Sequence, residues 1–349
     1  MIPMTIDANM YWIPDQMFSD EAFRGEFLRT IPGQHGTLGY EAAVGQTNQR
    51  QIVIEKPKGY QNLNYIAGEY RLETQLRDLD AAGVDLAVLK TPGCQEWLSL
   101  ELCRKFNDGL AAHAGRSGGR LRAMAVVPPW GTRDCLEELD RCVGDLGMTG
   151  VQLSAHYGEL YLDDQAFRPF FRRLNDLKLP AYIHHTSLPV NFDSLLDYPN
   201  LRRSYGRCAD QVTAVSREVF SDLFEVFPDL RFVHSMLGGA FFSYANLMFP
   251  KQTTKKDAMD RFQSEGEKFA KRLHENVYFE MSHAAPWGKL QLETAIRVLG
   301  ADHVLFGSSY PVRREWLIDG PAFVGGLDIA EAEKDLVLGG NARRLYRID

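Results

Sequence analysis

Several things are scarce or missing in this 349-residue chain. No stretch reaches the ~18 uninterrupted apolar residues of a membrane-spanning helix. The first residues, Met1 to Asp7, show no basic region followed by a long apolar run, so no secretory signal is expected. Cysteine is limited to Cys94, Cys103, Cys135, Cys142 and Cys208, an odd number without a C-x-x-C pair. That pattern predicts reduced thiols in a cytoplasmic protein. Positive charge is in deficit, with 39 Lys and Arg against 46 Asp and Glu and a formal net charge of -7. The balance argues against a general binder of nucleic acid or anionic membranes. A small anionic substrate stays open, because a local Arg or Lys cluster outweighs the global sign. Low-complexity segments and short internal repeats are absent.

What is present reads as a soluble globular chain, 45% apolar and 24% charged. Short apolar runs alternate with longer amphipathic ones. Strands are expected at Met4–Ala8, Val84–Leu89, Leu121–Val127, Gly150–Ala155, Ala181–His185, Leu230–Met236, Val277–Met281 and His303–Gly307. Helical spacing follows each, as in Arg71–Ala82, where Leu72, Leu76 and Leu79 share a face. Others are Ser99–Ala114 with Ser99 as N-cap, Gln211–Phe227 and Ala258–His274. The strands are rich in Val, Ile and Leu, as buried parallel strands are. Eight βα units in one chain predict a single (β/α)8 TIM barrel over residues 1–349. A doubly wound open sheet is the alternative, but no Gly-rich phosphate loop follows the first strand. Residues 14–70, with a strand at Gln51–Glu55, form an insertion after the first strand, a lid or interface element.

In such a barrel the active site lies at the C-terminal ends of the strands. His156, His184, His234 and His283 lie at four different predicted ends. Convergence of imidazoles, the commonest metal ligands, points to a metal site. Asp7, Asn9 and Tyr11 share a face if the first strand runs that far, whereas His184 and His185 cannot both point inward. Bland alternatives exist for each. Asp7 can orient a strand end, Tyr11 can pack beneath the Trp12 loop, Glu280 can pair with an arginine, and His185 can face the helix layer. Lys56, Lys58, Arg313 and Arg314 are candidate carboxylate binders, against ordinary surface solvation.

Ile6-Asp7, Tyr182-Ile183-His184, Phe232-Val233-His234 with Gly238-Gly239-Ala240-Phe241, Leu305-Phe306-Gly307-Ser308, and Gly340-Asn341-Ala342-Arg343-Arg344-Leu345 occur in order along the chain. In these the chain resembles the amidohydrolase-related family of decarboxylases and hydrolases, whose members include aminocarboxymuconate-semialdehyde and resorcylate-type decarboxylases. The resemblance implies a divalent metal at the barrel mouth. It also marks departures. The family's first strand reads Ile-Asp-x-His-x-His, but Asn9 and Tyr11 stand in the histidine slots here. Ser309 replaces the Asp of Gly-Ser-Asp-Tyr-Pro. The expected ligands are therefore His184 and His234 with Asp7, Asn9 and Tyr11, a mixed N/O set suited to Zn, Fe or Mn. His156, Glu280 and Ser309 are the candidate catalytic groups. The reading that follows is a recast metal site in one subunit of a multi-chain enzyme acting on a small carboxylated substrate. A two-chain, oxygen-dependent hydroxylase is one form of it. The partner is another copy or a related amidohydrolase-like chain. The alternatives are a decarboxylase or hydrolase with an altered mononuclear site, and a non-catalytic partner subunit.

Overall fold

The computed structural model describes residues 4–33, 36–186, 188–249 and 266–348. β1 (Ile6–Tyr11) comes first, and β2 (Leu38–Ala43), β3 (Arg50–Glu55) and β4 (Gln61–Ile66) follow within the insertion. Next come β5 (Leu86–Lys90), β6 (Leu121–Ala123), β7 (Ala125–Val126), β8 (Val151–Ser154), β9 (His156–Tyr157) and β10 (Leu160–Tyr161). β11 (Ala181–His184), β12 (Phe232–His234), β13 (Val277–Glu280) and β14 (Val304–Leu305) complete the set.

Parallel pairing runs β1-β5-β6 and β7-β8-β11-β12-β13-β14. β6 and β7 are one strand interrupted at Met124, whose N–H donates to Leu89 O at 3.0 Å. The last strand meets the first where Ala8 N–H donates to Phe306 O at 2.9 Å and Tyr11 N–H to Tyr310 O at 2.8 Å. Eight strand positions thus follow one another around a barrel, as the alternating pattern predicts. β5, β11 and β12 are buried at every residue. Cover on both faces is why they read as unbroken apolar runs rather than alternating ones.

Local signals set the helix starts. Ser99 Oγ accepts from Leu102 N–H at 3.2 Å to open Leu100–Gly115, and Thr132 caps Arg133–Gly144 in the same way. The helix expected over Ala258–His274 is seen as Gly266–Asn276; its earlier residues lie outside those described. β1 runs three residues past the expected end at Ala8, because Asn9 and Tyr11 find buried polar partners that an apolar pattern does not announce.

The insertion carries the helix Glu21–Thr30, capped by Asp20, and an antiparallel sheet β2-β3-β4. Only β3 was expected, since β2 is largely exposed and has no buried apolar face. Ile52, Ile54 and Tyr65 of this sheet join the main hydrophobic cluster of the barrel. β4 consequently lies along the mouth.

Candidate active site

A cavity of about 1000 Å³ opens at the C-terminal strand ends. Its walls are Asn62 to Ile66 and Tyr70 from the insertion, Arg203, Arg207 and Cys208 around the start of the helix Gly206–Phe220, and Trp287 and Trp316. Tyr11, His184, His185, Ser282, His283 and Ser309 line it from the strand ends. Four lining residues other than glycine, Met236, Ala240, Ser282 and Ser309, hold φ of 54°, 67°, 59° and 56°. Left-handed backbone at such residues is costly and gathers at functional sites.

The floor is built from the altered slots. Asn9 Nδ2 donates to Glu280 Oε2 at 3.1 Å and to Ser309 Oγ at 3.0 Å, leaving Asn9 Oδ1 buried without a partner. Glu280 also accepts from Tyr182 Oη at 2.6 Å, from Ser282 Oγ at 3.1 Å and from Ser282 N–H. Gly307 makes room for this carboxylate, since a Cβ there would overlap it. Lys90 lies below, 3.9 Å from the Tyr182 ring centroid, with Nζ donating to Ala8 O. Burial pushes Glu280 up to about 7 and pulls Lys90 down to about 7, each resisted by the other's charge. The positive charge acting on Glu280 is that of Lys90 rather than of an arginine.

His184 Nδ1 lies 2.7 Å from the His185 carbonyl and must donate to it. Nε2 therefore carries the lone pair and accepts from Tyr11 Oη at 3.0 Å. A backbone carbonyl on one ring nitrogen is also how metal-ligating histidines are oriented. Burial holds His184 down to about 3, so the ring is neutral at pH 7. His185 lines the cavity as well, with ring centroids 4.2 Å from His184. Alternation does not separate the two, because β11 ends at His184.

Other expected site residues are placed elsewhere. Asp7 accepts from Asn9 N–H at 2.9 Å, Ser308 N–H at 3.0 Å and Ser308 Oγ at 2.5 Å, joining the first and last strand ends. His234 is fully buried, with Nε2 2.7 Å from Glu218 Oε2 and Nδ1 2.9 Å from Gln211 Oε1. Both partners lie on the helix Gly206–Phe220. His156 Nε2 lies 2.8 Å from Thr186 Oγ1, and its Nδ1 2.8 Å from Gly158 O. None of these three is on the cavity wall. Lys56 pairs with Glu96 at 2.5 Å, Arg313 with Glu315 and Arg314 with Asp78, so the cationic groups at the cavity are Arg203 and Arg207 instead. Helix residues carry no strand-end signal, so sequence reasoning missed both arginines. Lys90 did have one, as the charged last residue of an apolar strand.

Among the described residues, the one group of three His, Cys, Asp or Glu with closely spaced ligand atoms is His274, Asp302 and His303. It precedes β13 and β14, at the opposite end of the barrel from the cavity. No described helix is long and apolar enough to cross a membrane.

Residues 75–348 match the family described as amidohydrolase. The gamma-resorcylate decarboxylase of Rhizobium radiobacter is 28% identical over 297 residues, covering 79% of this chain and 87% of that one. The 2-amino-3-carboxymuconate-6-semialdehyde decarboxylase of Dictyostelium discoideum is 23% identical over 289 residues, covering 79% and 77%. Among solved structures, the dihydroxybenzoic acid decarboxylase of Polaromonas sp. JS666 superposes with a TM-score of 0.69 at 19% identity, covering 99% of this chain and 98% of that one. That structure holds manganese and the inhibitor 2-nitroresorcinol. A divalent metal is therefore found in a solved decarboxylase of this fold.

Proposed function

The chain belongs to the amidohydrolase family, and from that premise we propose that it is a decarboxylase-like enzyme for a small carboxylated aromatic acid. One observation carries the reading. A carboxyl group with a pKa near neutrality, Glu280, stands one hydroxyl away from a cavity walled by aromatic rings and arginines. Decarboxylation breaks the bond between ring and carboxyl carbon and returns a proton to the ring carbon. A proton donor works best with a pKa near the operating pH. Glu280 meets that condition, and Ser282 Oγ, 3.1 Å from its Oε2, faces the cavity and can pass the proton on. The Tyr11–His184 pair and Ser309 orient the substrate oxygens across the floor.

The floor also fits a divalent ion, because Asn9 Oδ1 is a buried oxygen without a partner and His184 Nε2 is already oriented. His184, Asn9 and Tyr11 would hold it, a mixed N/O set closer to manganese or iron than to a conventional zinc triad. When bound, it would supply Lewis acidity toward substrate oxygens.

The test is turnover of a panel of hydroxylated benzoic acids with Mn2+, Fe2+ or Zn2+ supplied, read as ring absorbance and released CO2. Turnover of at least one acid is expected, falling about 100-fold or more in Glu280→Gln and in His184→Ala. No turnover of any aromatic acid by the wild-type chain, or turnover indifferent to both substitutions, sinks the reading. The hydroxylase and non-catalytic readings rest on the altered slots alone, and the relatives named above are decarboxylases. Participation in an assembly has one observation in its favour. Tyr205 and Tyr244 are exposed at the cavity rim, and aromatic side chains are enriched in interfaces. Light scattering behind size exclusion reads that directly.

A further inference from the structure

Four buried polar atoms without a partner belong to residues lining this one cavity: Asn62 Nδ2, Tyr65 Oη, Arg207 Nε and His283 Nδ1. Two of them lie on side chains that touch. Arg207 Nη2 donates to Asn62 Oδ1 at 3.0 Å, and its contact with Asn62 O is 3.4 Å. Because Oδ1 faces the guanidinium, the amide NH2 of Asn62 is turned the other way, and at 1% exposure it has no water to meet. Arg207 is thus left with a free Nε–H beside an amide that offers free N–H groups.

Neither Arg207 nor Arg203 has an acid within ion-pair distance among the described residues. Burial and the like charge of Arg203 pull Arg207 down to about 10, where a carboxylate neighbour would raise it. The groups that oppose this are Tyr11 and Cys208, neither a carboxylate. Glu69 is the one acidic residue among the described cavity lining, and burial raises its pKa toward the neutral form. A partly buried guanidinium with no carboxylate partner among the described residues, at the edge of a cavity, is suited to receive an anion.

Geometry holds the pair in place. Arg202, on the turn just before, stacks over Tyr60 at 4.2 Å from the ring centroid and donates to Leu196 O at 2.9 Å. Arg203 Nη2 reaches Asn62 O at 3.5 Å. The turn that opens the helix Gly206–Phe220 is therefore fastened at three arginines to the insertion residues Tyr60 and Asn62. Rings for a flat substrate stand beside it, among them Tyr65 and Tyr70.

We propose that Arg207 and Asn62 form the carboxylate subsite of this cavity, so that the insertion selects the acid as well as covering the barrel mouth. The guanidinium, positioned by Asn62 Oδ1, donates to the carboxylate, and the ring lies toward the aromatic wall. The proposal takes the aromatic-acid class from the reading above, but it concerns binding and holds whether or not turnover follows.

The experiment is calorimetric titration of the full chain with 2,6-dihydroxybenzoate and with resorcinol, the same ring without the carboxylate. The wild-type chain binds the acid more tightly than resorcinol. Arg207→Ala loses about 10- to 100-fold in affinity for the acid, the range for a hydrogen bond to a charged group, and leaves resorcinol unchanged. Arg207→Lys recovers only part, because an ammonium cannot reproduce the planar fork. Asn62→Asp places a negative charge against the acid and lowers its affinity further than Asn62→Ala does. Thermal melts of each variant confirm that it is folded. No preference of the wild-type chain for the acid overturns the subsite. So does an equal loss for acid and resorcinol, or an unchanged preference in both Arg207→Ala and Asn62→Asp. Intact discrimination without turnover would sink the decarboxylase reading and leave the subsite standing. Turnover with discrimination indifferent to both residues would do the reverse.

Discussion

His234→Ala is expected to weaken the barrel rather than empty the site. The ring has no exposed surface, and each nitrogen faces an acceptor: Glu218 Oε2 at 2.7 Å and Gln211 Oε1 at 2.9 Å. Gln211 cannot turn to donate instead, since its Nε2 is engaged with Ile183 O at 3.3 Å. The imidazole is therefore held at both nitrogens, and alanine leaves two buried groups without it, Gln211 Oε1 and a Glu218 carboxyl group whose Oε1 already lacks a partner. A buried polar group left without its partner costs about 1–3 kcal/mol, so the two together cost about 2–6 kcal/mol. Unfolding entropy of about 2.1 cal/mol/K per residue gives about 0.7 kcal/mol/K for this chain, so the melting temperature should fall by about 3–8 °C. His184→Ala, on the cavity wall, loses one hydrogen bond to Tyr11 and should move the melt by under about 2 °C, since one such bond is worth about 1 kcal/mol. Scanning calorimetry of the two variants, with acid binding measured on each, separates the roles. A His234→Ala protein that melts with the wild-type chain but no longer binds the acid would refute the assignment and return His234 to the site.

Two further perturbations test the frame. Gly239→Ala should destabilise the chain by about 2 kcal/mol or more, because φ is 70° and the added Cβ would overlap the Cys208 main-chain carbonyl, which is backbone and cannot swing aside; the same overlap presses on the Arg207 turn, so acid affinity should fall with the melt. A Gly239→Ala protein of wild-type stability would show the turn to be looser than described. Burial holds His113 at about 4 against an ordinary 6.5, so the unfolded chain binds the proton first as pH falls. Its contribution to stability is present above pH 6.5 and is lost between about 6.5 and 4 at up to about 1.4 kcal/mol per pH unit. Urea unfolding at pH 7, 6 and 5 should therefore show a shallower acid slope in His113→Asn than in the wild-type chain, and identical slopes would reject the assignment.

The barrel was legible in the chain because its cause is local and repeated. Each strand must be covered on both faces, so it reads as a short apolar run, and each helix carries one apolar stripe. The strand ends, and with them Tyr11, His184, Glu280 and Ser309, could be located on the same grounds. The direction in which a strand-end side chain turns has no such local cause. His234 and His184 occupy equivalent ends of neighbouring strands, yet one meets Glu218 and Gln211 in the helix layer while the other meets Tyr11 at the cavity. Asp7 and Lys90 were decided in the same way, by partners far away in the chain. So was the cavity's charge. Arg207 and Asn62 lie 145 residues apart, and nothing near either one announces the other. Periodicity encodes burial, which each segment expresses by itself; a site is a convergence of segments, and only the folded chain specifies which polar atoms are left without a partner.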